Sequence, residues 1–470
     1  MADYITISDF APANWSENSE TSSNLHSGAS YVPKYTKIVV LNRDHLYHQG
    51  DALAVKAVAR DNKGRPKTYG GDFLRARLSN DRWPRVSSAG SVTDHANGTY
   101  TVIFPLYWVG NVSVRIQLVH PSEAVKVLRR VREVPNKRVF FCAFLDVAAN
   151  TTETRQCFSS ANTSLPPHQQ CDFSNLEANG TWICERPREI PCATISKCWW
   201  DWDKTKNKAL ALVSLKERKL FQKPYVEEEL KEDHQAPIRV LPPELRTPQH
   251  LQACTWDKSA ALGHWSGKVW KSAVCNVRIF TKEAIRRCLA NKTVYMQVLK
   301  SGNNSYWNTS VRYRFHSFPV QVGAWVTFSD LRYTSDVLDA MQGGSDTVIV
   351  LGLWAHFTAE PLDMFRSRLY AIHDAIHRLK HRHPSTRVFV RTGTTREHEG
   401  RNLAFYLLGS DWLAYQITEV IRKMFRADPD VVVLDTWDMS VCQPGEDSVH
   451  PDQRMVDNQL IMMLSHICPN

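Results

Sequence analysis

Two different periodicities of apolar positions divide the chain. Between residues 36 and 120 apolar and polar residues alternate. In VSVRIQLV, residues 112 to 119, Val112, Val114, Ile116 and Leu118 take one face and Ser113, Arg115 and Gln117 the other, the period of two of a half-buried strand. Just before it, NGTYTVIF opens on an Asn-Gly turn and runs into Tyr100, Val102 and Phe104, and the two runs are expected to pair as a hairpin. Upstream, LAVKAVARDNKGRP is a further strand followed by a Gly/Pro turn. The pattern predicts an immunoglobulin-type or filamin-type β-sandwich over 31–135, behind a disordered leader over 1–30. Such modules usually bind or space, so catalysis is expected elsewhere.

From residue 346 the pattern changes. DTVIVLG, RVFVRTG and DVVVLD are short, nearly continuous apolar runs, as in strands buried on both faces of a parallel sheet. Between the first two, Leu362, Phe365, Leu369, Ile372, Ile376 and Leu379 recur at spacings of three and four, one stripe of a helix that covers such a sheet. A second helix carries Leu413, Ile417, Val420, Ile421 and Met424, and a third Val456, Leu460, Met463 and Ile467. Strand and helix in alternation predict a doubly wound α/β domain over 251–470. Sheets of this kind bind ligands at the carboxyl ends of their strands.

The middle of the chain, 136–250, follows neither pattern. Cys142, Cys157, Cys171, Cys184, Cys192 and Cys198 crowd its first half, without paired C-x-x-C sets, and read as disulfides rather than zinc ligands. The chain has 11 cysteines, so one is left over or pairs between chains. CWWDWD places Trp199, Trp200 and Trp202 in the same block; small disulfide-rich units use tryptophan as core, and packing is preferred over sugar stacking. The charged, proline-bearing FQKPYVEEELKEDHQAPIRVLPPELRTP that follows reads as a linker.

Compartment and partners come from composition. Nine N-x-S/T sequons stand at Asn14, Asn97, Asn111, Asn150, Asn162, Asn179, Asn291, Asn303 and Asn308. With the cysteines they place the chain in the secretory pathway, secreted or in the ER or Golgi lumen. The start, MADYITISDF, has neither a basic nor an apolar targeting region, so no signal peptide is expected in this chain and an upstream segment is. No run reaches the roughly 20 apolar residues of a membrane span. The formal charge of +10 is dispersed rather than gathered into a basic run, which argues against nucleic acid and suits a glycan or glycoprotein, with an extracellular protein as a further partner of the sandwich.

Candidate chemistry lies near the C-terminus. In GEDSVHPDQR, Asp447 and His450 are spaced as D-x-x-H ahead of the last helix, the arrangement by which a carboxylate orients an imidazole as general base for a serine. Cys442 and Cys468 are expected to tie this loop to the terminal helix. His373 and His377 form H-D-A-I-H at helical i, i+4 spacing, the spacing of H-E-x-x-H zinc sites. Asp374 stands where the glutamate would, and both histidines flank a packing stripe in a His/Lys/Arg-rich helix, so no metal and no cofactor are expected. Asp435 and Asp438 in LDTWDMS follow a strand end and are expected to shape a loop by hydrogen bonding.

The sandwich with NGTYTV, the Cys/Trp block, CTWDKSAALGHWSGKVWKSAVCNVRIFTKEAIRRCLANKTVYM, VIVLGLWAHF, VVVLDTWDMS and DSVHP together resemble the neurexophilin and PC-esterase domain family, over most of the chain. The resemblance implies an SGNH-like α/β domain that adds or removes acyl esters on carbohydrate. A G-D-S serine would follow the first strand, KTVYM, and His450 and Asp447 would supply base and acid. Gly352, Trp354 and His356 of GLWAHF would lie near substrate. Here the residues after Met296 read QVLKSGNNSYWNTS, with no G-D-S. Only Gln297 to Ser310 separates KTVYM from the next strand-like run, and a β-α-β crossover takes roughly 30 residues in all. Ser301 and Ser305 are weak substitutes, since nothing places either at a sharp strand-to-helix turn. A catalytically impaired binding or scaffold protein is therefore expected, with a glycan O-acyltransferase or esterase as the alternative.

Overall fold

The computed structural model describes residues 32–80, 85–161, 163–222, 228–232, 237–243, 251–254, 261–296, 301–313, 325–396, 402–443 and 450–468. The expected leader, 1–30, thus falls outside the described residues. The chain forms two compact units, one of Met1–Val127, Leu215–His250 and Gly263–Lys271, the other of Leu128–Ser214, Leu251–Leu262 and Ser272–Asn470.

Two β-sheets share one core in the first unit. Lys231–Glu232, Lys37–Val40, Ala52–Val58, Thr99–Pro105 and Ser91–Asp94 neighbour one another in that order in one sheet. Gly263–Ser266, Val86–Ala89, Phe73–Asn80, Gly110–His120, Ile238–Leu241 and Tyr47–His48 do so in the other. Val55, Tyr100, Val102 and Phe104 from the first meet Ala76, Leu78, Val112, Ile116 and Leu118 from the second. The faces read from the period of two are therefore the buried ones, but their pairing differs from expectation. Thr99–Pro105 pairs with Ser91–Asp94 and Ala52–Val58, whereas Gly110–His120 lies in the opposite sheet. The Asn97-Gly98 turn closes the Ser91–Asp94 hairpin instead. Gly98 sits at φ +83°, and a Cβ there would lie 2.2 Å from the Lys67 carbonyl oxygen, so only glycine fits. The next connection buries Leu106 and Trp108 rather than turning tightly, and this carries the chain across the core to the other sheet.

The stretch expected to be a linker supplies strands to this unit. Ile238–Leu241 pairs with Gly110–His120 and Tyr47–His48, and Lys231–Glu232 with Lys37–Val40. Ile238 and Val240 are buried while Arg239 is exposed. Runs of two to four residues are too short to show a period, and their charged flanks mask them.

The second unit begins with the cysteine-rich block, which is itself a sheet. Its order is Gln170–Asp172, Ile183–Glu185, Thr151–Phe158, Val139–Asp146, Ile195–Asp201 and Val326–Thr327. Cys142–Cys198 and Cys157–Cys184 join residues directly opposite on neighbouring strands, and Cys171–Cys192 closes its edge. All six cysteines of the block are bridged, as expected. The tryptophans pack within the protein: Trp200 donates its Nε1–H to Thr205 Oγ1 at 2.7 Å, and Trp202 packs on Phe405.

A six-stranded sheet follows, ordered Gly302–Asn304, Thr309–Tyr313, Thr293–Met296, Thr347–Leu351, Arg387–Arg391, Val431–Leu434 and parallel except for the first strand. Val348, Val350, Phe389, Val432 and Leu434 pack with Met463, Leu464 and Ile467 of the terminal helix and, more peripherally, Ile285 and Leu289. Alternate residues, Ile349, Val388 and Val390, point to the other face and are buried too. Every residue of the predicted 362–379 stripe is buried in the helix Leu362–Arg382. The terminal helix, Gln453–Ile467, buries Met455, Met462, Met463 and Leu464 along with Ile467, so its inward face is rotated from the expected one.

The terminal helix also explains a correction to the disulfides. Cys468 bonds to Cys288, and Cys254 to Cys275, leaving Cys442 with a buried thiol outside any bridge. Arg387, first in its strand, hydrogen-bonds the Ile467 carbonyl oxygen, which puts the end of the helix at the amino edge of the sheet. Cys442 follows the carboxyl end of Val431–Leu434. The expected Cys442–Cys468 bond would have to span the sheet along a helix of about 22 Å.

Candidate functional site

In a parallel sheet the registers align the strand exits. Met296 pairs with Val350, Leu351 with Val390, and Arg391 with Leu434, so the residues that follow share one edge. After the second of these strands come Gly352, Trp354 and His356. Trp354 is buried and Gly352 and His356 are partly exposed; the Arg396 guanidinium lies 4.9 Å over the Trp354 ring. Arg396 is held by a backbone hydrogen bond to the Asp411 carboxylate and a side-chain bond to the Ala355 carbonyl at 3.4 Å. Burial brings its guanidinium down to about 10, with Asp411 opposing. Gly393 donates its N–H to Thr418 Oγ1 at 3.1 Å, and a Cβ there would come within 2.8 Å of that oxygen.

The exits of the last two strands are joined by an ionic network. Asp435 accepts from Thr392 Oγ1 at 3.1 Å, the Trp437 N–H at 3.2 Å and Arg422 Nε at 2.5 Å, and Arg422 also reaches Glu419 at 2.7 Å. Burial opposes charge on Asp435, but Arg422 and the other donors hold its carboxyl below the usual range. Asp438 is the reverse case. Burial pushes it up to about 6 against the pull of Arg422, with Asp435 and Glu419 adding repulsion. Asp435 thus makes the loop-shaping bonds expected of it, while Asp438 stands ready to change charge near neutrality.

This shift has a stability consequence of definite sign. A folded-state pKa above the unfolded value gives stability that is present at low pH and lost as pH rises through about 6. Asp438→Asn is therefore expected to be more stable than the parent at pH 7.5, by about 2–3 kcal/mol, and equal to it near pH 4. Urea unfolding at both pH values measures this, and an equal difference at the two would refute it.

His450 stands three residues ahead of the terminal helix and is exposed. Asp452 caps the helix by accepting from the Met455 N–H at 2.8 Å. Asp447 lies outside the described residues. Ser301 precedes the antiparallel strand Gly302–Asn304 and Ser305 lies in the turn after it, both exposed. Between Met296 and Tyr313 the described residues form a short hairpin whose second strand, Thr309–Tyr313, pairs in parallel with Thr293–Met296.

A family model described as Neurexophilin matches residues 16–209, and one described as NXPE family member 4-like, C-terminal domain, matches residues 300–468. The chain belongs to the neurexophilin and NXPE family. The neurexophilin match takes in both the two-sheet core and most of the cysteine-rich sheet. The NXPE C-terminal match starts beyond Met296 and contains Gly352, Trp354, His356, the Arg422 network and His450. In this NXPE family chain Arg396, Asp411 and Arg422 were not flagged by sequence reasoning, since each is defined only by a partner from a different element.

The described sequon asparagines, Asn97, Asn111, Asn150, Asn179, Asn291, Asn303 and Asn308, are all exposed, four of them at positive φ in turns. Asn14 and Asn162 lie outside the described residues. Five disulfides are the pattern of a chain folded in an oxidising compartment. No helix among the described residues is long and apolar enough to cross a membrane.

Proposed function

We propose that this NXPE family chain is a secreted or lumenal glycoprotein that binds a glycan or glycoprotein and does not carry out serine-based acyl transfer, its α/β domain retained as scaffold and its sandwich as a docking module for an extracellular protein. The observation that carries this reading is the hairpin formed by the described residues 301–313. A serine nucleophile of this class sits on a strand-to-helix turn, where backbone N–H groups at the helix start stabilise the oxyanion. The described residues here form the Gly302–Asn304 and Thr309–Tyr313 hairpin, with Ser301 just before its first strand and Ser305 in the turn after it. His450 with Asp447 would then be a base and its orienting acid without a serine at a strand-to-helix turn among the described residues that follow Met296, and loss of the nucleophile costs several orders of magnitude in rate.

A second reading, a glycan O-acyltransferase or acyl esterase, is favoured by the polar strand exits and by the D-x-x-H spacing of Asp447 and His450 ahead of the terminal helix. In it His450 would move the proton, Asp447 would orient the imidazole, and Gly352, Trp354 and His356 would line the substrate. A fluorophosphonate probe applied to the purified chain beside His450→Ala separates the two. The expected result is labelling no greater than for heat-denatured protein; labelling that disappears in His450→Ala would establish the second reading instead. A glycan array spanning anionic and neutral sugars tests the binding half, which binding to none of them would sink.

A further inference from the structure

The structure assigns a divalent-cation site of the zinc class to His373, His377 and Asp428, at the end of the sheet opposite the candidate site. The two histidines lie one turn apart on the helix Leu362–Arg382, and Asp428 follows the helix Asp411–Phe425. Their Nε2 atoms are 3.1 Å apart, and each is close to Asp428 Oδ2, at 3.2 Å from His373 and 3.3 Å from His377. Three ligand atoms thus form a nearly equilateral triangle. Ligands about 2.0–2.1 Å from a tetrahedral zinc stand about 3.3–3.4 Å from one another, so this triangle is one face of such a site to within about 0.2–0.3 Å.

Hydrogen bonding alone cannot satisfy this arrangement. An imidazole Nε2 presents either one N–H or one lone pair, and a carboxylate oxygen only accepts. Whichever tautomers are chosen, at least one edge of the triangle sets donor against donor or acceptor against acceptor. The Asp428 side chain is only 4% exposed, and its Oδ2 is buried and takes no hydrogen bond among the described residues. One cation at the centre would satisfy all three atoms.

The surroundings match those of metal-bound histidine, whose second ring nitrogen commonly faces a carboxylate. Asp430 Oδ2 lies 3.5 Å from His377 Nδ1, and Asp374 Oδ1 lies 3.7 Å from His373 Nδ1. Asp428 is fixed by its other oxygen, which accepts from the Asp430 N–H at 2.8 Å. His373 and His377 are partly exposed, at 26% and 42%, which leaves a side open for water or a further ligand. Asp430 immediately precedes the strand Val431–Leu434, so a bound ion would clip the long helix to the start of that strand, away from the strand exits.

The test uses the full chain without a polyhistidine tag, stripped with EDTA and titrated with Co²⁺ at pH 7.5. The expected result is visible absorption that saturates at one equivalent and is abolished by one equivalent of Zn²⁺. His377→Ala and Asp428→Asn should each weaken Co²⁺ binding by at least about 100-fold, more than the loss of a supporting residue. Zinc should raise the thermal midpoint of the parent by several degrees and that of neither variant. Circular dichroism checks that both variants fold; should Asp428→Asn not, the half-exposed His377→Ala decides. Absence of one-equivalent binding by the parent, or binding unchanged in His377→Ala, would overturn the assignment.

Discussion

Replacing Cys288 and Cys468 together by serine is expected to cost about 5 kcal/mol, more than removing any other disulfide of the chain. The bond joins residues 180 apart in sequence. The entropy that a cross-link removes from the unfolded chain grows with the logarithm of the loop it closes, which gives about 5 kcal/mol for this loop and about 3 kcal/mol for the 21-residue separation of Cys254–Cys275. Both sulfurs also sit in the core beneath the parallel sheet, with Phe280, Ile285 and Leu289. Arg278 also hydrogen-bonds Ser465 and the Cys468 carbonyl oxygen, at 3.1 and 3.2 Å; neither bond needs the sulfurs, so the variant is expected to be loosened at this corner rather than recast. Thermal unfolding of the parent and of the two double-serine variants measures the difference. A loss no larger for Cys288/Cys468 than for Cys254/Cys275 would contradict it.

Lys67→Met should cost about 3–5 kcal/mol, although it adds an apolar side chain to an interior position. Lys67 Nζ is buried, 2.8 Å from Asp72 and 3.6 Å from Glu123, and it also donates to Ser122 Oγ at 3.0 Å. Asp72 is as deeply buried and accepts from the Tyr100 hydroxyl and the Ser122 N–H, both at 2.7 Å. Burial pushes its carboxyl up, and the Lys67 ammonium is the chief force keeping it charged. Removing that ammonium strands the desolvated Asp72 carboxylate, whereas replacing Asp72 as well leaves only the more exposed Glu123 without it. Lys67→Met with Asp72→Asn should therefore recover part of the loss, a coupling that a double-mutant cycle reads directly. Urea unfolding is the measurement, and a single-variant loss under about 1 kcal/mol would refute the burial argument.

The Lys67 case marks a limit on what was legible beforehand. Nothing in GRPKTYGG marks Lys67 as buried, because its pocket is completed by Ser122 and Glu123, which come from a segment more than 50 residues away. The same holds for Arg422 and Asp435, and for Asp428 with His373 and His377. The i, i+4 histidines were visible as a pair, but the third atom of the triangle comes from beyond a different helix. By contrast the buried faces of Gly110–His120 and of Leu362–Arg382 were readable, since a side chain's direction follows from local backbone geometry alone.

The sequence by itself determined the long periodic elements, the buried faces of Gly110–His120 and Leu362–Arg382, the disulfide character of the cysteine block and the membership signalled by its motifs. Each of these depends on neighbours within a few positions or on residue type. Only the tertiary structure decided which strand pairs with which, that Ile238–Leu241 belongs to a sheet, that Cys468 bonds to Cys288, that Gly302–Asn304 and Thr309–Tyr313 form a hairpin, and which face the terminal helix buries. Such choices rest on contacts between segments far apart in the chain, where many pairings satisfy the same local pattern and the packed core selects one of them.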